Sequence, residues 1–195
     1  ASNCNLTGNN LTGMQYNGLF IEGIYSTHFT THTINDTNTI NGSPILYYGG
    51  AVDSPACPNN QQISNSTAAH IDFISCTNVT LTNDTTLETV TLVNTANVTV
   101  TGIQSNKNKY GIRVLFTLGP NLITNNNITA SHTTLSGAFG IWLYNASNTT
   151  IRNNNITTNG TSVNGGIYLY NTANNNTIDN NTIYSTGSAA SNYGI

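Results

Sequence analysis

The chain has 195 residues and a formal net charge of −3, with charged side chains at only 6% of positions; 35 Asn and 33 Thr take their place. That length suffices for one domain with a real core. The basic residues, Lys107, Lys109, Arg113 and Arg152, are too few for a nucleic-acid or anionic-membrane partner, and no apolar run of 18 residues offers a membrane span.

Residues 1–17 are polar and read as an N-terminal extension. Residues 18–69 hold strand-like pieces (Leu19-Phe20-Ile21, Thr39-Ile40, Ile45-Leu46-Tyr47-Tyr48), broken by Gly49-Gly50 and by a loop from Pro55 to Pro58. They read as irregular first coils or an N-terminal cap. Residues 70–195 read as regular coils, because a motif returns there. It is Ile71-Asp72-Phe73 and Val90-Thr91-Leu92 at first, then Gly111-Ile112-Arg113-Val114, Gly140-Ile141-Trp142-Leu143, Gly166-Ile167-Tyr168-Leu169 and Gly194-Ile195, at steps of 19, 22, 29, 26 and 28 residues. A period in this range is the signature of a stacked solenoid.

Each late repeat carries two more apolar sites five residues apart: Ile123 and Ile128, Ile151 and Ile156, Ile178 and Ile183. An asparagine-rich bend separates them. Short, alternating, β-branched segments between turn formers predict strands, and Asn and Thr are poor helix residues. The expected fold is all-β: a single-stranded right-handed parallel β-helix with three short strands per coil. Alternation puts Ile71, Val90, Ile112, Ile141 and Ile167 in one inner column, with Phe73, Leu92, Val114, Leu143 and Leu169 beside it. Asn126, Asn154 and Asn181 are candidates for a stacked amide ladder.

The segment from Gly140 to Ile156, its echo over 166–183, and the pieces Asn38–Tyr48 and Ser75–Leu81 resemble the PbH1-type repeats of the NosD-like and pectate-lyase-like superfamily. The resemblance covers roughly residues 18–195 and implies the right-handed β-helix. It implies little about function, because one scaffold hosts many activities. The copper-site maturation role of NosD proteins is not carried over, since this chain has one Met and scattered His.

Fifteen Asn-x-Ser/Thr sequons are present, at Asn5, Asn10, Asn35, Asn41, Asn65, Asn78, Asn83, Asn97, Asn127, Asn145, Asn148, Asn155, Asn159, Asn175 and Asn180. An Asn/Thr-rich solenoid generates sequons by composition alone; glycan columns on its outside would give solubility to a surface nearly free of charge. Three cysteines, Cys4, Cys57 and Cys76, allow one disulfide with three choices of pair, or three thiols. The expected pair is Cys4 with Cys57, leaving Cys76 in the packed ladder.

No cluster of catalytic carboxylates is evident: Asp72 stands alone on the outer column Asp72, Thr91, Arg113, Trp142, Tyr168. Asp53 and Glu22 read as loop residues, and His70 and His132 as isolated ones. His28 and His32 share a face without a third ligand, so neither metal nor other cofactor is expected. Trp142, Tyr144, Tyr168 and Tyr170 point outward from adjacent coils as a surface for sugar or subunit contact, unless a loop of the same chain covers them. The sequence stops at Tyr193-Gly194-Ile195, the opening of another coil. Either it is a fragment or a neighbouring subunit supplies the next coil, which implies head-to-tail self-association.

These features point to a non-enzymatic structural subunit of an extracellular fibre, sheath or surface layer, heavily N-glycosylated and stacking end to end. The alternative is a carbohydrate-binding adhesin or a β-helical polysaccharide lyase or hydrolase.

Overall fold

The computed structural model describes residues 3–13, 18–23, 25–86, 88–132, 137–188 and 191–195. Residues 1–2 and 14–17 of the expected extension lie outside them. The regular coils carry three strands each, and each strand pairs in parallel with its counterpart in the next coil. Sheet one runs through Ser43–Tyr48, His70–Ile74, Val90–Val93, Tyr110–Leu115, Ala138–Tyr144, Asn164–Tyr170 and Asn192–Tyr193. Sheet two holds Gln62–Ser64, Thr80–Thr82, Val98–Thr101, Asn121–Thr124, Thr149–Arg152 and Thr177–Asp179. Sheet three holds Thr85–Thr86, Gln104–Asn108, Asn127–His132, Asn155–Gly160 and Thr182–Thr186. The register is the expected one: Ile71, Val90, Ile112, Ile141 and Ile167 are successive partners. With Ile123, Ile151, Ile128 and Ile156 they form one core.

The corners explain the asparagine content. Gly49, Ser75, Asn94, Phe116, Asn145 and Asn171 turn the chain out of sheet one; Asn60, Asn78, Asn97, Asn148 and Asn175 turn it into sheet two; Asn65, Asn83, Gly102, Asn125, Asn153 and Asn180 turn it out again. All have φ between +49 and +76. Left-handed backbone is costly for most L-residues but tolerated by Gly and Asn, whose short amide bonds locally. A coil of three sharp corners therefore selects Asn at each.

The residue after the last corner points inward and builds the amide ladder. Asn126 Nδ2 donates to Asn154 Oδ1 and Asn154 Nδ2 to Asn181 Oδ1, both at 2.9 Å. Their second hydrogens go to the carbonyls of Val100 and Ile123.

The repeat's glycine has a packing reason. A Cβ on Gly111 or Gly140 would sit 2.2 Å from Cγ2 of Ile128 or Ile156, and 2.7 Å from the glycine carbonyl of the next coil. Gly140 and Ile141 thus both face inward, which breaks strict alternation and throws Phe139 to the outer face.

Residues 5–13 and 25–41 wrap the start of the solenoid. Asn5–Leu6 pairs in parallel with Thr33–Ile34, and Asn10–Leu11 with Thr39–Ile40. Thr39–Ile40 joins Ser43–Tyr48 antiparallel. A one-turn helix, Thr27–Thr30, buries Phe29, whose carbonyl accepts the Tyr47 hydroxyl. Phe29, Ile34, Ile40, Ile45, Tyr47, Ile74, Val93 and Leu115 form a second core on the outside of sheet one, against which Leu19 and Ile21 pack. Sheet one is therefore covered on both faces over 70–74, 90–93 and 110–115.

Two expectations are corrected. The disulfide joins Cys57 to Cys76, with Cα atoms 5.3 Å apart, and not Cys4 to Cys57. Cys76 does lie in the core ladder, but Gly49 leads the loop back so that Cys57 meets it. Asp72 and Arg113 were expected on an open outer column; they are 4% and 3% exposed because residues 18–23 cross this face, with Ile21 on Arg113 and Gly18 on Glu88.

Candidate functional site

The outer face of sheet one gathers the chain's chemistry. Arg113, Trp142 and Tyr168 are successive register partners, as are Tyr144 and Tyr170. Tyr110 and Phe139 join them on the outside through the break at the repeat glycine. Tyr110 stacks on Trp142 at 4.9 Å and Phe139 on Tyr168 at 4.9 Å, while Tyr144 lies over Tyr170 at 5.8 Å. Tyr144 and Tyr170 stack in register and the other two pairs on the diagonal between adjacent coils, so the faces are spent largely on one another, as aromatic pairs favour. Trp142 and Tyr144 remain half-buried, and Tyr170 is 52% exposed.

Residues 18–23, which belong to no strand, cross this face as a strap. Gly18 N–H donates to Glu88 Oε1 at 2.5 Å, and Arg113 Nη1 donates to the Ile21 carbonyl at 3.1 Å. Phe20 stacks on Tyr110 at 5.9 Å. The Arg113 guanidinium sits 4.9 to 5.4 Å from the ring centres of Phe20, Tyr110 and Trp142. Burial holds it below its ordinary pKa, opposed by Tyr110 and Asp72. Where the strap ends, a cavity of about 280 Å³ opens between Glu22, Gly23, Arg113, Trp142, Tyr144 and Tyr170. Tyr168 lines a different cavity with Val163, Leu169, Tyr193 and Ile195.

Beneath the strap the structure assembles a cluster that sequence reasoning missed. His70, taken as isolated, places Nε2 3.0 Å from Asp72 Oδ2 and Nδ1 3.6 Å from Glu88 Oε2, all three side chains buried. Burial alone would lower the imidazole; Asp72, reinforced by Glu88, overrides it and raises His70 to about 9. Two carboxylates therefore do approach one group, contrary to the expectation that Asp72 stands alone. The signal in the sequence was spacing: Glu88 precedes Val90 by two residues, as Tyr110 precedes Ile112 and Phe139 precedes Ile141. His28 and His32 have other tasks: His28 sets its ring edge-on to Tyr25, and His32 Nδ1 accepts from the Cys4 amide. Among the described residues no group of three His, Cys, Asp or Glu is arranged to hold a metal.

The fifteen sequon asparagines are all exposed or half-exposed, whereas the buried Asn38, Asn121, Asn126, Asn154 and Asn164 are in no sequon. Geometry explains the split. A buried Asn is followed two residues later by an inward Ile or Gly, so it cannot open a sequon, whereas Thr or Ser stands two residues after many of the outward and corner Asn. Nine of the sequons, Asn41, Asn65, Asn78, Asn83, Asn97, Asn145, Asn148, Asn175 and Asn180, are left-handed corners. The fold thus generates sequons without reference to glycans. Outer ladders add to this: Asn97 Nδ2 donates to Asn78, and Asn155 Nδ2 to Asn127, each at 3.1 Å.

A family model described as "Right handed beta helix region" matches residues 60–195, well over half of the chain. No curated protein and no solved structure matches it. Among the described residues no helix is long and apolar enough to cross a membrane.

Proposed function

The chain belongs to the right-handed β-helix family, and from that premise we propose that it is a structural subunit of an extracellular or cell-surface fibre, sheath or layer, N-glycosylated on its outer asparagine columns. The family fits a surface or carbohydrate-related protein in general. One observation supports the structural role: apolar, amide and aromatic columns all make their contacts along the solenoid axis, coil on coil. Leu169, Ile178 and Ile183 in the last coils are only partly buried, while their counterparts Leu143, Ile151 and Ile156 are fully buried. Columns of this kind can run on from one copy to a second stacked head to tail. Negative-stain microscopy of native material should show filaments or lattices; monodisperse monomers under all conditions remove this role. Intact mass before and after deglycosylation reads sequon occupancy directly.

A second reading rests on the cleft beside the strap. Glu22 offers acceptors to vicinal hydroxyls, Arg113 a donor, and Trp142 and Tyr170 apolar surface, in a volume suited to a single sugar ring. A glycan array comparing wild type with Trp142→Ala tests carbohydrate binding. No reaction is assigned. Asp72 and Glu88 lie buried against His70 under the strap, and product release in a lyase or hydrolase screen would overturn the non-enzymatic proposal.

A further inference from the structure

We propose that residues 18–23 are a strap that opens as a unit over the outer face of sheet one while the coils beneath stay folded. The strap pairs with no strand. Its main chain is held by side chains at two points: Glu88 takes the Gly18 amide, and Arg113 gives a hydrogen bond to the Ile21 carbonyl. Between these points Phe20 lies on Tyr110 and the Arg113 guanidinium. Both anchors are buried charged side chains: Glu88 belongs to the cluster in which His70 bridges it to Asp72, and Arg113 packs between rings.

The coil strands are held differently. Each makes ladder bonds to neighbours above and below, and their apolar side chains fill the interior. Local opening draws on the least-bonded segments first. Opening the strap costs two charge-assisted hydrogen bonds, one ring contact and the half-buried packing of Leu19 and Ile21 on the outer core; freeing a coil strand breaks a whole ladder rung and uncovers fully buried side chains. Opening would expose Tyr110, Arg113 and the covered side of Trp142, lengthening the aromatic face that Tyr144 and Tyr170 already present. The strap therefore gates that face whatever the face binds, and the inference does not depend on either functional role above.

Amide hydrogen exchange read by mass spectrometry on the full chain tests this. In the wild type, amides at 18–23 should exchange faster than those at 112–115 and 141–144. Two variants act from opposite sides. Glu88→Gln weakens the anchor on the solenoid. Gly18→Ala pushes on the strap, because its Cβ would meet Ile40 Cδ1 at 2.7 Å and Glu88 Oε1 at 3.1 Å. Each should speed exchange at 18–23 by roughly tenfold or more, the scale of one charge-assisted hydrogen bond, with 112–115 and 141–144 unchanged. Asp179→Asn, exposed on sheet two, should leave the strap's rate as it is. Strap exchange unaltered in both variants, or accelerated together with the coil strands, overturns the proposal.

Discussion

Asn154 and Asn155 are neighbours of the same type, yet replacing each by Ala should give very different results. Asn154 is 1% exposed and fully bonded. Its Oδ1 accepts from the Asn126 amide at 3.1 Å and from Asn126 Nδ2 at 2.9 Å; its Nδ2 donates to the Ile123 carbonyl at 3.1 Å and to Asn181 Oδ1 at 2.9 Å. Asn154→Ala leaves the Asn126 amide hydrogen and the Ile123 carbonyl buried without these partners. At about 1–3 kcal/mol for each orphaned group, the loss is about 2–6 kcal/mol. Asn155 is exposed and its amide makes one ladder bond, to Asn127 Oδ1 at 3.1 Å. Water replaces that bond, so Asn155→Ala should cost about 0.5 kcal/mol or less. Denaturant unfolding followed by Trp142 fluorescence reads both. If the two variants unfold within about 1 kcal/mol of each other, the inner ladder is not a stabilising element and the account of the bends fails.

Three further outcomes follow from the packing. Gly140→Ala should destabilise by about 1–3 kcal/mol or more, the usual cost of overpacking, because the added carbon meets Ile156 and the Gly166 carbonyl at once; a variant as stable as wild type in thermal melts would contradict the close approach. His70 titrates near 9 when folded against an ordinary 6.5. The raised value means its contribution to stability is complete below about pH 6.5 and disappears as pH rises through about 9. His70→Gln should flatten that alkaline decline in pH-dependent melts, and an unchanged profile refutes the bridge. Non-reducing peptide mapping should recover a Cys57–Cys76 linked peptide, and reduction should cost about 3 kcal/mol for a closed loop of 19 residues' separation; a peptide linking Cys4 instead would restore the pairing expected from sequence.

The inner columns were legible in the sequence because they obey a local rule. Ile112, Ile141 and Ile167 are short, β-branched, periodic and flanked by turn formers, and strand alternation fixes which way they point wherever the chain is placed. The amide ladder of Asn126, Asn154 and Asn181 follows from the same rule one bend later. Tyr110 and Phe139 depart from that rule, since alternation counted back from Ile112 and Ile141 would send them inward. Packing of Ile128 and Ile156 against the repeat glycine reverses them, and side-chain volume across a coil is not encoded in a two-residue period.

The amino-acid sequence alone determined the coil: its three strands, its asparagine corners and the register of its core, because each depends on residues within one repeat and on the like residues of the next. Only the tertiary structure decided what lies outside sheet one. Gly18 meets Glu88 across 70 residues and Ile21 meets Arg113 across 92. The burial of Arg113 depends on how the N-terminal segment folds back, and the choice of Cys57 for Cys76 on how the loop after Gly49 returns to the solenoid. Contacts between segments that share no repeat leave no periodic trace, so the closure of the chain upon itself had to be seen in three dimensions.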